Sequence, residues 1–369
     1  MGKTVRRVVL VGGGHAHVQV LERWPTASLR DVELIVVSDR ARAVYSGMVP
    51  GLVTGQYQRS ELEIDVEALA RRAGARMVLG AARRIDAEAR RVEIEGHEAI
   101  DYDIASLNVG STVRGLTTPG VAEHALPTRP IGEFIDALRR ELADNKEIQA
   151  IVVGAGAGGV ELALALDAVA SADGRGGSTV TLVDSSVRAL AGYPAAVSRR
   201  IHEILHRRGI LLQFGVGVAG VGSEGIHLED GRTIHSNLTV WAAGAASHAF
   251  LASSGLPVDV DGFVQVDGTL QVRGIPELLA AGDCASHANA LPKAGVYAVR
   301  QASTLANNIV ALLEGRTPRE YVPQGDFLTL LNLGDGTAMG TKWGASAQGR
   351  SLRWVKDRID QRFVRRFHA

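Results

Sequence analysis

The chain has 369 residues, of which 46% are hydrophobic and 22% charged, the balance of a soluble globular protein of two domains or slightly more. Forty Lys and Arg offset forty Asp and Glu, so the charge carries no footprint of a nucleic-acid partner. One cysteine, Cys284, excludes an intrachain disulfide and suits a reducing compartment.

The start, Met1-Gly2-Lys3-Thr4-Val5-Arg6-Arg7, lacks the apolar core and small-residue cleavage site of a signal peptide. No run approaches the ~20 apolar residues of a membrane-spanning helix. A cytoplasmic location is expected. The first predicted strand, Val8-Val9-Leu10-Val11, runs into Gly12-Gly13-Gly14-His15-Ala16-His17, then a helical pattern, then a second apolar strand, Glu33-Leu34-Ile35-Val36-Val37. Fully apolar β-branched runs of this kind are buried parallel strands, and strand, glycine turn, helix, strand is a βαβ unit. The turn supplies the first two glycines of G-x-G-x-x-G as Gly12 and Gly14, but His17 stands at the third, and the second strand ends in Ser38-Asp39.

The unit recurs in the middle of the chain. Ile151-Val152-Val153 leads into Gly154-Ala155-Gly156-Ala157-Gly158-Gly159-Val160-Glu161, and a second strand, Val180-Thr181-Leu182-Val183, ends at Asp184. In such a motif the first glycine turns the chain, the second admits a pyrophosphate, and the third lets helix and strand pack closely. The helix N-terminus offers unpaired N–H groups to the phosphates. An acid at Asp184 can hold both hydroxyls of an adenosine ribose and repels a 2′-phosphate, which favours NADH over NADPH. Its distance from Gly154 exceeds the usual ~20 residues, and the segment 172–178 (ADGRGGS) reads as the loop insertion responsible.

Smaller antiparallel sheets are expected around Arg91-Val92-Glu93-Ile94-Glu95 and around residues 225–232, where Asp230-Gly231 suits a hairpin. A glycine-rich β-like stretch begins near Phe327. From Ser351 to Phe367 the pattern is helical, with Leu352, Val355, Ile359, Phe363 and Phe367 spaced by 3, 4, 4 and 4 residues on one face. Residues 350–369 carry seven Arg or Lys against two Asp, a net of +5. Three readings are open for this basic amphipathic helix: an anionic membrane on the cytoplasmic face, its own protein body, or a homodimer interface.

Two glycine motifs about 140 residues apart resemble the two-dinucleotide-domain flavoproteins, the pyridine nucleotide–disulfide oxidoreductase superfamily. Tyr102-Asp103-Ile104-Ala105-Ser106-Leu107-Asn108-Val109-Gly110-Ser111 is similar to its first connecting motif and Leu238-Thr239-Val240-Trp241-Ala242-Ala243-Gly244 to its second. Leu278-Leu279-Ala280-Ala281-Gly282-Asp283-Cys284-Ala285 resembles its late flavin motif. Within the superfamily the chain most resembles type II NADH dehydrogenases and sulfide:quinone oxidoreductases. Val11-Gly12-Gly13-Gly14-His15-Ala16-His17-Val18, Tyr45-Ser46-Gly47-Met48-Val49-Pro50-Gly51 and Trp354-Val355-Lys356-Asp357-Arg358-Ile359-Asp360 bring it nearer still to the flavoprotein module fused to selenide, water dikinase.

The resemblance implies an α/β fold of two nested Rossmann-like domains with three-layer parallel sheets, small antiparallel sheets and a C-terminal segment. Residues 1–117 and 246–325 would form the FAD-binding domain, 118–245 the NAD(H)-binding domain, and 326–369 the C-terminal β segment and helix. It implies FAD contacts at Gly12, Gly14, His15, Ala16, Ser38, Asp39, Gly110, Gly282, Asp283, Gly295 and Val296, with Asp283 on the ribityl chain. NADH would use Gly154, Gly156, Gly159, Asp184 and Gly244, with Glu161 either at the nicotinamide ribose or amide, as the corresponding glutamate is in relatives, or in a purely structural role at the helix start. The likeness puts His15 and His17 at the FAD pyrophosphate, and no metal site is expected. One cysteine cannot form the relay of disulfide reductases or sulfide:quinone enzymes, and the segment around Ser46 has no thiol, so flavin electrons pass directly to an external acceptor. A quinone-like small molecule is the first reading of that acceptor. Leu291-Pro292-Lys293-Ala294-Gly295-Val296 resembles the start of the helix aimed at the flavin. Val296 and Arg300 stand where the quinone-reducing relatives carry glutamines, and Lys293 either faces the acceptor pocket or is a surface lysine. The alternatives are a flavin-dependent reductase of selenium or sulfur metabolism, and a non-enzymatic flavin-binding partner protein.

Overall fold

Alternation along two buried strands sets the layers of this fold. In the computed structural model, which describes residues 5–24, 29, 31–145, 147–172, 177–289 and 291–368, the strand Arg6–Val11 pairs in parallel with Val32–Ser38 on one side and Ile104–Leu107 on the other. Successive side chains point to opposite faces. Val8 and Leu10 therefore enter the core shared with the helices, while Val9 and Val11 pack with Ile85, Val92 and Ile94 of the antiparallel sheet Ala82–Asp86, Arg91–Ile94 and Ile100–Asp101. Helix, parallel sheet and antiparallel sheet make three layers.

The large sheet has eight strands in the order Ala285–His287, Val264–Val266, Gln271–Val272, Ile275–Ala280, Ile104–Leu107, Arg6–Val11, Val32–Ser38, Arg76–Leu79. Only Gln271–Val272 runs antiparallel to its neighbours. A second sheet of five parallel strands, Leu126–Pro127, Leu238–Trp241, Gln149–Val153, Thr179–Asp184 and Leu211–Phe214, comes from the middle of the chain. Ile151 and Val153 on its outer face pack with Ile226 and Leu228 of another small antiparallel sheet, which includes the Asp230-Gly231 hairpin. The chain crosses between the two sheets on Thr112–Val113 and Ala245–Ala246, and these short strands pair antiparallel.

The helix Ala157–Ala172 begins tight against its strand. A Cβ on Gly159 would run into the Gly154 carbonyl, whereas one on Gly158 would meet open space. This is the close approach the third glycine of the motif exists to permit. Of the loop insertion read at 172–178, residues 173–176 lie outside the described residues.

The C-terminal segment folds as an antiparallel meander, Thr329–Asn332, Ala338–Lys342 and Ala345–Gly349, followed by the helix Arg350–Arg365. That helix is rotated from the face its apolar spacing predicts. Phe363 and Phe367 are buried, but Ile359 is 51% exposed, and the other buried positions are Arg353, Lys356, Asp360 and Val364. Polar pairing explains the rotation. Lys356 Nζ donates to the Gly47 carbonyl at 2.8 Å and to Asp360 at 3.0 Å. Tyr45 donates to Asp360 at 3.2 Å, and Tyr57 to Asp357 at 2.6 Å. Buried charges must be paired, and these partners exist only where the helix lies on the 45–57 segment. It therefore docks on its own chain, with Trp354, Arg358, Arg362 and Arg365 turned outward. Among the described residues no helix is long and apolar enough to cross a membrane.

Gly159→Ala is expected to lower stability by about 1–3 kcal/mol through overpacking, and Gly158→Ala to leave it unchanged or raise it by up to ~1 kcal/mol through helix propensity. Urea unfolding midpoints of the two variants check this contrast.

Candidate active site

At the first glycine turn the helix His15–Arg23 has no cap of its own: Gly14 precedes it without a side-chain hydrogen bond. Asn108, at the end of the strand Ile104–Leu107, provides one from outside. Its Oδ1 accepts from Ala16 N at 3.0 Å and His17 N at 3.3 Å, while its Nδ2 donates to the Ala281 carbonyl at 2.6 Å. A Cβ on Gly14 would collide with that Asn108 oxygen, so glycine is required there. His17 replaces the usual third glycine by filling the space under the turn. Its Nδ1–H donates to the Gly12 carbonyl at 2.7 Å, which leaves Nε2 to accept from Ser106 Oγ at 2.8 Å. Burial pushes this histidine down to about 4, so it is neutral. With both ring nitrogens occupied it has no lone pair for a metal.

Ser38, buried beneath Gly13, donates to the Arg40 carbonyl at 2.9 Å, and Asp39 is the exposed acid, 3.3 Å from Arg40. Asp283 sits on the 3-10 turn Gly282–Cys284 that ends the strand Ile275–Ala280. It accepts from Ser111 at 3.3 Å and pairs with Arg129 at 3.2 Å. Arg129 belongs to the loop after Leu126–Pro127 of the five-stranded sheet, so it reaches across from the other sheet. Among the described residues, His15 Nε2 and Arg129 NH1 are buried without a hydrogen-bond partner. Burial lowers the His15 pKa, opposed by Asp283 and reinforced by Arg129. Unpaired buried donors and acceptors beside a carboxylate and a glycine turn are the cradle a polar, phosphate-bearing cofactor such as FAD would complete. Gly110, Gly244 and Gly282 adopt positive φ at the strand ends of the same region.

The second glycine turn opens on a cleft of about 610 Å3. Gly156, Gly159, Glu161, Gly244 and Arg129 line it from the five-stranded sheet's side, and so do Ser46, Val49, Pro50 and Lys293 from the other sheet's segments. Gly12, Gly14, Asp39, Asp184, Asp283 and Val296 are not among its lining residues. Asp184 instead folds over the second turn, accepting from Ala155 N at 2.5 Å and Ser186 N at 2.7 Å. Glu161 is half-buried and accepts from Asn332 N of the C-terminal meander at 2.7 Å. Burial pushes it up to about 7, against the opposing field of Lys356. Lys293 is no surface lysine: it donates to the Ala285 carbonyl at 2.6 Å and lies 3.8 Å from the centre of the Phe263 ring, with its pKa lowered by burial. Cys284 is fully buried, and burial pushes its thiol up to about 11, which makes it a packing residue. Gly295 opens the helix Gly295–Leu313, with Val296 in its first turn.

Reading the sequence missed Arg129, which no motif marks, the inward pairing of Lys356, and the capping role of Asn108.

Residues 6–304 match the family model described as pyridine nucleotide-disulphide oxidoreductase. The chain is 22% identical over 392 residues to the type II NADH:quinone oxidoreductase of Staphylococcus saprophyticus, an alignment covering 99% of this chain and 96% of that protein. The sulfide:quinone oxidoreductase of Aquifex aeolicus superposes with a TM-score of 0.81 at 18% identity, over 98% of this chain and 91% of that one. The NDH2 of Plasmodium falciparum, determined in complex with NADH, superposes with a TM-score of 0.84 at 14% identity, over 99% and 97%. The Rossmann-like layers, the two glycine turns and the match over residues 6–304 agree: the chain belongs to the pyridine nucleotide-disulphide oxidoreductase family and is a flavin-dependent oxidoreductase of pyridine nucleotides.

Proposed function

We propose that this protein oxidises NADH and delivers both electrons to a small quinone-like acceptor with no cysteine in the path. The observation that carries this reading is the cleft itself. One wall is the second glycine turn with Glu161, and the facing wall is Ser46, Val49, Pro50 and Lys293, without a thiol. The names of the curated relatives supply the quinone.

FAD, when bound, supplies the two-electron redox chemistry. Gly12, Gly14, His15 and Ala16 would hold its pyrophosphate at the helix N-terminus, Ser38 and Asp39 its adenosine end, and Asp283 its ribityl hydroxyls. Gly110 and Gly282 would let the backbone come close, and Gly295 and Val296 would offer a helix N-terminus to the flavin ring, favouring negative charge there. Gly154, Gly156, Gly159 and Gly244 would border the nucleotide. Asp184 would take its ribose hydroxyls, and its carboxylate disfavours a 2′-phosphate. The cleft holds the reacting groups in line, which supplies much of the rate.

Reducing a quinone with NADH takes up one proton from solution. Glu161, which burial pushes up to about 7, would hold a proton near neutrality between the cleft and the C-terminal meander. Lys293 would offer its amine to the acceptor.

The outward side of the helix Arg350–Arg365 supports contact with an anionic membrane. Both of its aspartates are held inward by Lys356, Tyr45 and Tyr57, so Arg358, Arg362 and Arg365 face solvent without an exposed acid on the helix. Trp354 and Trp343 are 61% and 79% exposed, residues that favour the membrane interface.

The purified protein should carry FAD that NADH bleaches and a soluble quinone reoxidises; flavin that NADH reduces but no quinone reoxidises refutes the quinone acceptor. Asp184→Ala should raise the KM for NADH about tenfold, the cost of a charge-assisted contact, and narrow the preference over NADPH. For Glu161, the folded pKa of about 7 lies above the ordinary 4.5. The folded state therefore holds the extra proton, and stability falls as pH rises through that window, by on the order of 3 kcal/mol. Glu161→Gln should flatten this fall, seen by comparing urea midpoints of wild type and variant at pH 5 and pH 8. In flotation with anionic vesicles, the full chain should rise and Trp354→Ala/Arg358→Glu should stay at the bottom.

A further inference from the structure

His287 ends the strand Ala285–His287 at the edge of the eight-stranded sheet and lines the cleft. Its ring is oriented by hydrogen bonds whose direction follows from donor chemistry alone. The Gly282 backbone N–H can only donate, and it donates to Gln301 Oε1 at 2.7 Å. The other end of that side chain is therefore its NH2 group, which also can only donate. It lies 2.8 Å from His287 Nε2. Nε2 must accept, so in the neutral ring the proton sits on Nδ1.

Gln301 cannot turn over cheaply. It is 1% exposed within the helix Gly295–Leu313, and reversing its amide would set its NH2 against the Gly282 N–H, leaving a buried donor unpaired. Burial, and then the Lys293 charge, push His287 down to about 4, so the ring is neutral over the physiological range. Among the described residues none accepts from Nδ1. The Lys293 charge that acts on the ring is already engaged with the Ala285 carbonyl at 2.6 Å. That end of the cleft suits an uncharged polar ligand.

We propose that His287, its tautomer fixed by Gln301 and Gly282, donates its Nδ1–H to a carbonyl oxygen of the ligand that enters the cleft. The carbonyl is either the nicotinamide carboxamide or that of the electron acceptor, and the inference rests on the reading that the two meet there. A neutral N–H recognises a carbonyl without burying a charge, and losing such a bond leaves a buried polar group unpaired.

The test uses the FAD-loaded enzyme. Nitrogen-15 NMR of labelled histidines should show His287 protonated at Nδ1. Gln301→Glu, which replaces the amide donor by an acceptor, should move the proton to Nε2. His287→Phe keeps a ring and removes the donor. If the nicotinamide is the ligand, both variants weaken NAD+ binding about tenfold and leave ADP-ribose, which lacks nicotinamide, unchanged. If the acceptor is the ligand, both raise the quinone KM by a similar factor with NAD+ unaffected. Wild-type protonation at Nε2, or variants silent in both arms while wild type turns over, overturns the proposal alone. A wild-type enzyme that neither binds NAD+ nor turns over overturns the functional reading and this inference with it.

Discussion

The side chain of Asn108 joins three segments that are far apart in the sequence. Its oxygen caps the helix that begins at His15, its nitrogen holds the Ala281 carbonyl, and its backbone N–H donates to Val11. The first glycine turn, the strand that precedes the connection to the second sheet, and the Asp283 turn are thereby fixed to one another. Gly282 N then donates to Gln301, which carries the same constraint into the Gly295–Leu313 helix. A buried amide that satisfies donors and acceptors on three sides loses all of them if it moves, so the geometry proposed for FAD depends on this one residue.

Electrostatics inside the molecule set the place of the C-terminal helix. Its apolar spacing describes a membrane-ready stripe, but Lys356, Asp360 and Asp357 find partners on the 45–57 segment and dictate the rotation. Phe363 remains in the core, 4.9 Å from the Tyr45 ring between centroids, while Ile359 is left outside. The penalty for an unpaired buried charge exceeds what one isoleucine gains by burial. The same pairing removes the acids from the outer surface and leaves it cationic.

Both βαβ units were legible because a parallel strand buried on two faces must be apolar throughout and a nucleotide turn must be glycine-rich. The small antiparallel sheets and the final helix were legible from periodicity. Less legible were the residues that act across the two sheets. Arg129 reaches Asp283 from the start of the other sheet, and nothing local distinguishes it from any arginine before a proline. His17 could be seen to break the glycine pattern, but its ring under the turn, bonded to Gly12 and Ser106, needed the opposing strand.

The sequence by itself determined the layered α/β architecture, the two glycine turns and the lack of any cysteine pair, because each follows from local pattern or from simple count. Tertiary structure decided which face of the last helix is buried, that Lys293 and Glu161 share one cleft, that Cys284 is sealed away, and which nitrogen of His287 carries its proton. Those outcomes depend on burial and on partners supplied by distant segments, and only the folded chain brings these together.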